Sequence, residues 1–592
     1  MTKWMLRQAA VNVGQLATKW GIDPVLAHVL AVRGFRSKEE VDSFLHASDI
    51  ALPSPALFAD MTLALNLVKQ AINSGSRIAI FGDYDADGIC STVILYKTLC
   101  ALKANVMYYI PQRENEGYGL NNEAIFNLKQ QQVEMILACD NGVSALEQVE
   151  YANSLNIKVI ILDHHDLPQN SSGQQVLVPA AALVNAKRQD CPYPFKLYCA
   201  AGLCYRFSQA LFEYLNIEWQ GLGQKLLPFA ALATICDLVE LLGENRNLVQ
   251  LGLTAIAKST NPGLQALIEA IGLTGQTISA YHVGFRLGPC INACGRLDDA
   301  GQAVELFLTE DESHAAKMAA FLMGLNEKRK TLTEEGVILA LETIESQGLD
   351  ENKIIVAHCP DIHESVAGII AGKLKEHYYK PVIMVTGNKA IVRGSGRSIE
   401  AYHMYQALCS CQELFINFGG HPMAAGFSIP KDNIELLRNK LNMECILTED
   451  DMQPVRRVDK FLPLSEASLT LARELQSLEP FGKGNQPVCF ADKEVKLLKI
   501  SLLGNAGQVL RLSLQSPAKK NLIDAVFFEG KEKLQELIMH NYGEQCWQNL
   551  LKGNHNGVKL DILYNLSVNV YQGRENAQVQ IIDFRIAQEN KA

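Results

Sequence analysis

The chain has 592 residues, 48% of them hydrophobic and 20% charged, with a formal net charge of −10. That length exceeds a single hydrophobic core, so about three or four domains are expected. The composition excludes a disordered chain, the lack of roughly 18 consecutive apolar residues excludes a membrane span, and the acidic balance excludes a surface coated in positive charge.

Residues 1–60 read as short helical pieces ending in the breaker LPSP at 52–55. The opening MTKWMLRQAAVNVGQLATKW has no apolar h-region, so no secretory signal is expected and the protein should stay in the cytoplasm. Short apolar runs then follow at RIAIFG (77–82), NVMYYI (105–110), EMILAC (134–139), VIIL (159–162) and AALVN (181–185). Helical stretches separate several of them, which predicts a parallel sheet covered on both faces. Residues 205–345 look mainly helical, with 311–345 as one long polar helix joining two lobes. A second α/β pattern starts at IIVAH (354–358) and continues through PVIMVT (381–386) and IVRGSGRS. From about 455 the chain turns to short alternating strands, the pattern of a small β-barrel. The expected organisation is α/β multidomain: a helical segment at 1–60, a parallel-sheet domain at 61–250, a helical segment and connecting helix at 251–345, a smaller α/β domain at 346–445, and the barrel at 455–592. Fifteen cysteines without a CxxC spacing predict buried free thiols.

The informative residues stand at strand ends. RIAIFG runs into Asp83, Asp85 and Asp87; EMILAC ends at Asp140; VIIL ends at Asp163, His164 and His165. In an open parallel sheet, ligands bind outside the carboxyl ends of the strands, so these groups aim at one place. Two carboxylates about 4 Å apart repel by roughly 4 kcal/mol at an effective dielectric near 20, so such a cluster must take up protons or hold cations. Oxygen ligands with one or two imidazoles suit Mn²⁺ or Mg²⁺ better than zinc. Carboxylates able to bridge suggest two ions roughly 3.5–4 Å apart, an arrangement that hydrolyses phosphate esters. A calcium loop is the competing reading of DYDADG, but its twelfth position is Ile94 and the required glutamate is missing. A lone Asp-His-His could also be a helix cap, a reading weakened by its place in step with two other acidic strand ends.

With these motifs, the chain resembles the DHH phosphoesterase superfamily and, within it, the RecJ branch. DYDADG, Asp140-Asn-Gly, Asp163-His164-His165 and the aspartate of ATICDLVEL match the superfamily's motifs. PQRENEGYGL (111–120), GPCINACGRLDDA (288–300), PDIHESVAGIIAGKLKE (360–376), GSGRS (394–398), FGGHPMAAG (418–426) and LEPFGKGNQPVCF (478–490) carry the likeness to the branch. The resemblance implies a DHH domain, a DHH-associated domain and an oligonucleotide-binding barrel. It implies an exonuclease that digests single-stranded DNA from the 5′ end, using two Mn²⁺ or Mg²⁺ ions, in DNA repair and recombination. Asp83, Asp85, Asp87, Asp140, His164 and Asp237 become the metal-ligand candidates, and Asp163, His164 and His165 the catalytic ones, with His165 beside the ions or contacting the scissile phosphate. Arg113, Arg296, Ser395 and Arg397 become the pocket for a terminal 5′ phosphate, with the GSGRS glycines letting backbone N–H groups approach it. His421 is a further substrate-side candidate, with a buried histidine between glycine turns as the alternative. In the barrel, Arg456, Arg457, Lys483, Arg511 and Arg574 with Phe527, Tyr564 and Tyr571 are candidates for holding and stacking a single strand. Ser365, Cys236 and Cys294 depart from the usual motif residues but stay small. A monomer is expected, with single-strand binding protein and a helicase as partners. Two rival readings are a phosphodiesterase of cyclic dinucleotides or short oligonucleotides, and a non-catalytic single-strand-binding relative.

Overall fold

The computed structural model describes residues 2–8, 13–113, 116–170, 172–504, 509–518, 522–528, 530–554, 557–571 and 573–587, with the side chain of Tyr571 outside the described set. The chain forms two compact units, one of residues 51–454 and one of residues 2–50 together with 455–592.

In the first unit, five parallel strands lie in the order Val106–Tyr109, Arg77–Phe81, Val133–Cys139, Lys158–Leu162, Ala182–Val184. Their near-continuous apolar runs are explained by burial on both faces. Ile78, Ile80, Leu137 and Ile160 face a core shared with the helices Ala86–Ala101, Ala200–Tyr214 and Gln220–Cys236. Ala79, Phe81, Ile136 and Ile161 face the opposite core, built on the helices Asn122–Gln130 and Leu146–Ser154. The strand after Arg77–Phe81 adds on one side and the next on the other. The order therefore reverses between Arg77–Phe81 and Val133–Cys139, the kind of crevice where open α/β sheets bind ligands.

The long helix runs from Glu312 to Ser346, 35 residues, about 52 Å at 1.5 Å per residue. Its first half contributes Ala315, Ala319 and Leu322 to the core of the parallel-sheet lobe. Its second half contributes Ala340 and Ile344 to the core of the smaller lobe. At about 100° per residue the buried positions of both halves fall on one face of the helix, so a single stripe serves both lobes. The smaller lobe is a mixed five-stranded sheet, ordered Asn417–His421, Ala424–Pro430, Ile391–Arg397, Val382–Thr386, Ile355–His358.

The second unit is a closed five-stranded barrel of Phe490–Leu503, Val509–Gln515, Leu522–Phe527, Lys559–Tyr571 and Arg574–Ile586, closed where the first of these pairs with the fourth. Two helices, Lys531–Tyr542 and Glu544–Leu551, connect its third and fourth strands. Within the segment read as helical pieces, Lys3–Leu6 is a strand paired in parallel with Val455–Val458. Four residues carry too little periodicity to reveal a ladder whose partner lies some 450 positions away. Arg33 clamps the 2%-exposed Asp459 with two hydrogen bonds of 3.1 and 2.9 Å and reaches Asn485 at 3.1 Å. All fifteen cysteines are free thiols, eleven of them buried. No described helix is long and apolar enough to cross a membrane.

Candidate metal centre and phosphate pocket

Each acidic group is fixed by the element that carries it. Asp85 caps the helix Ala86–Ala101, its carboxylate accepting from the N–H groups of Asp87 (2.9 Å) and Gly88 (3.2 Å). Asp87, inside the first turn, accepts from the N–H groups of Ala200 and Ala201 at 2.7 Å each, at the positive end of the helix Ala200–Tyr214. Gly88 is required there, because a Cβ would stand 2.5 Å from the Asp83 nitrogen. Asp140 leaves its strand with φ at 65°, a left-handed conformation uncommon outside glycine, and Tyr118 donates its hydroxyl to the Asp140 carbonyl at 2.8 Å. Asp237 is the C-cap of the helix Gln220–Cys236.

These elements bring the six predicted ligands together. His164 Nε2 lies 3.2 Å from Asp140 Oδ1 and 3.7 Å from both Asp87 Oδ2 and Asp237 Oδ2. Asp83, Asp85 and Asp140 each place an oxygen within 4.8 Å of the others. Burial, then the Asp85 charge, pushes Asp87 up to about 7 and Asp83 well above the carboxylate range. Burial, then the charge of Asp87, does the same to Asp140. Burial and the neighbouring His165 push His164 down to about 3, leaving a neutral imidazole. Asp83 Oδ1 and His164 Nε2 are buried without a hydrogen-bond partner. Crowded carboxylates that resist ionisation, beside a neutral imidazole with an unsatisfied ring nitrogen, are a donor set made for hard divalent cations.

Asp163 has a different position. One oxygen accepts from the N–H groups of His164 (2.7 Å) and His165 (3.1 Å) and pairs with His165 Nδ1 at 2.8 Å; the other accepts from Val143 N–H at 3.1 Å. Burial would raise its pKa, but the His165 hydrogen bond and charge hold it down at about 2. Reciprocally, Asp163 lifts His165 against burial to about 9.

The arginines converge beside this centre. Arg113 lies over the Tyr84 ring at 5.0 Å, Arg296 donates to the Ser365 carbonyl at 3.1 Å across the two lobes, and Arg397 donates to Ser395 Oγ at 3.3 Å. Burial, then the charges of Arg113 and Arg397, lowers Arg296 to about 10. A cavity of about 590 Å³ opens here, lined by Tyr84, Arg113, Tyr118, Ser365 and Ser395 among others. Gly368 makes room for the pair, since a Cβ would meet Arg397 Nη2 at 2.6 Å and Ser395 Oγ at 2.8 Å.

Several expectations are corrected. The GSGRS glycines do not offer N–H groups to an anion: Ile391–Arg397 is an inner strand paired on both sides, and Gly394 instead accommodates the Phe427 ring. His421 is exposed, not packed between glycine turns; it shares the register of Ala424 and Arg397, two strands from the arginine. Phe527 and Tyr564 are barrel core, 5% and 0% exposed, because inward positions of a small barrel must be filled, so neither is a stacking platform. Tyr571 has its side chain outside the described residues, while Arg456, Arg457, Lys483, Arg511 and Arg574 are exposed.

The supporting contacts were not foreseen from sequence: Asn292 Oδ1 accepting from Ala86 N–H at 2.7 Å, Tyr84 under Arg113, or Tyr118 between Asp140 and His165. The segments INACGRL and EGYGL were visible, but their spacing does not reveal which strand end each one touches.

Comparison with known proteins agrees with this architecture. The DHH family N-terminal domain matches residues 77–234, the DHHA1 domain residues 351–446 and the RecJ OB domain residues 458–583. The single-stranded-DNA-specific exonuclease RecJ of Escherichia coli is 31% identical over 586 residues, covering 95% of this chain and 96% of that protein. The chain belongs to the RecJ family. The Bacillus subtilis RecJ is 33% identical, covering 98% of this chain and 70% of its own length. A crystal structure of RecJ from Thermus thermophilus in complex with Mn²⁺ superposes with a TM-score of 0.80 at 26% identity, covering 99% of this chain and 80% of that one. Full-length RecJ likeness, barrel included, favours the exonuclease over a cyclic-dinucleotide phosphodiesterase.

Proposed function

We propose that this RecJ-family chain hydrolyses single-stranded DNA from its 5′ end to mononucleotides, with Mn²⁺ or Mg²⁺ held by Asp83, Asp85, Asp87, Asp140, His164 and Asp237. The observation that carries the reading is the convergence of these six side chains on His164 Nε2 and on the Asp83–Asp85–Asp140 cluster. Asp83, Asp85 and Asp140 would serve one ion and Asp87, His164 and Asp237 the other, with Asp140 facing both. Bound there, two cations would supply an ionised water and screen the charge that develops on the phosphoryl group.

The chain's own residues do the rest. Asp163 holds the His164–His165 turn in place and fixes the proton on His165 Nδ1, leaving Nε2 to donate to a phosphate oxygen. Arg113, Arg296, Ser395 and Arg397 receive the terminal phosphate, which sets the polarity of attack; planar guanidinium groups suit that anion. His421, at the register of Arg397, faces the same substrate end. Exposed Arg456, Arg457, Lys483, Arg511 and Arg574 give the barrel unit a backbone-holding role without base specificity. We extend the reading to a cytoplasmic monomer supplied with strands by a helicase and single-strand binding protein, as in DNA repair and recombination.

Digestion of strands labelled at either end, with the 5′ terminus phosphorylated or bare, tests the proposal. Release of 5′-label first as mononucleotide, faster with the phosphate, is expected. Release from the 3′ end, or preferential cleavage of a cyclic dinucleotide, contradicts it.

A further inference from the structure

A second cavity, of about 830 Å³, lies among helix ends away from the strand-end carboxylates. Its walls bring in Lys97, Lys225 and Lys258 from three different helices or their ends, together with Ser259, Thr260 and the ring of Tyr96. Among the described residues that line it, the only carboxylate is Glu310, whose own side chain is 83% exposed and stands 3.7 Å from Lys97 Nζ. Three lysines thus line the cavity against one solvated carboxylate, in a chain whose net charge is −10. Local excess of one sign in a concave site concentrates ligands of the opposite sign. Burial, opposed only partly by Glu310, lowers the Lys97 pKa, and Lys225 lowers it further. An anion between the lysines would relieve both effects. Apolar wall is also present, from Leu222, Leu251 and Leu308, and the volume falls within the roughly 300–1,000 Å³ usual for small-molecule sites.

We propose that this cavity binds a nucleotide, its phosphate on Lys97, Lys225 and Lys258 and its base against Tyr96 and the leucines. The choice of a nucleotide over another phosphorylated molecule rests on the exonuclease reading, because hydrolysis releases mononucleotides from the same protein. Position gives the site a consequence. Tyr96 and Lys97 stand toward the far end of the helix Ala86–Ala101, whose first turn holds Asp87 and whose cap is Asp85. Lys225 stands near the start of the helix Gln220–Cys236, whose cap is Asp237. A ligand that draws these two ends together acts on rigid elements that carry three of the six proposed ligands, so occupancy should couple to cation affinity.

Calorimetry on the full chain in EDTA, read in an Arg397→Ala background that weakens the terminal-phosphate pocket and with dAMP, deoxyadenosine and inorganic phosphate as separate titrants, tests the site without hydrolysis. Expected is saturable binding of dAMP, weaker binding of phosphate, and none of the nucleoside. A Lys225→Glu/Lys258→Glu variant should bind dAMP roughly tenfold or more weakly while cleaving a 5′-phosphorylated strand at the wild-type rate in Mn²⁺. No dAMP binding, or equal binding by the variant, overturns the proposal; phosphate binding as tightly as dAMP overturns the nucleotide assignment. Because binding is read without metal or strand, a failed exonuclease assay and a failed binding assay remain separate results.

Discussion

Asp163 and His164 are adjacent in sequence and opposite in task. His164 presents an unsatisfied Nε2 to three carboxylates, whereas both oxygens of Asp163 are consumed by N–H groups and His165. His164→Ala should therefore abolish hydrolysis. Asp163→Asn, which keeps the shape but loses the charge and one acceptor, should lower Mn²⁺ affinity or kcat by about 10–100-fold. Equilibrium binding of a single strand should change far less in either variant; full activity in His164→Ala would remove the proposed centre. Gly88→Ala tests the same centre through the backbone. Its Cβ would stand within 2.6 Å of Asp83 N, Cα and Cβ, so the loop must shift and metal binding should fall although no ligand is removed. Five of the six proposed ligands, Asp83, Asp85, Asp87, Asp140 and His164, were legible in the sequence because strand ends in a parallel sheet converge; Asp237, a helix C-cap, was signalled only by the family likeness. Their supports were not: Asn292 reaches Ala86 across 206 positions, and no periodicity encodes that.

Three separate elements would deliver the proposed phosphate pocket: the segment after the strand Val106–Tyr109 with Arg113, the helix Gly288–Leu297 with Arg296, and the strand Ile391–Arg397 with Ser395 and Arg397. Because they belong to two lobes joined by the long helix, the pocket depends on lobe placement as well as on charge. Arg397→Ala should raise KM for a 5′-phosphorylated strand by about 10–100-fold, as loss of a charged hydrogen bond of roughly 1.5–3 kcal/mol implies. The same variant should act on a 5′-hydroxyl strand nearly as the wild type does. Equal loss on both substrates would deny the terminal-phosphate role. At this scale the strands and the connecting helix were readable from apolar runs, while GSGRS was misread. Its glycines were expected to free backbone N–H groups for an anion, but here the strand is paired on both sides and the glycines accommodate Phe427 and Met404, a tertiary fact.

At the scale of the whole molecule, residues 2–50 join the barrel unit and not the nuclease unit. Trp4 donates its indole N–H to Asp583 at 2.9 Å, and Arg33 pairs with buried Asp459. Arg33→Ala should destabilise that unit by a few kcal/mol, less than the roughly 3–5 kcal/mol of a fully orphaned buried charge, because Arg7 remains 3.4 Å from Asp459. Limited proteolysis of the full chain should then cut first within residues 2–50 or 455–592, leaving 51–454 intact. Barrel strands were visible from their alternation; the distant partner of Lys3–Leu6 was not, since pairing across the entire chain leaves no local trace.

The proposed hydrolysis rests on two divalent cations sharing six side chains from four segments of the chain. Anomalous diffraction at the manganese edge, from crystals soaked in Mn²⁺, examines that directly. Two peaks are predicted, one among Asp83, Asp85 and Asp140 and one among Asp87, His164 and Asp237. Manganese bound elsewhere, or absent from both positions at saturating concentration, would contradict a two-ion centre.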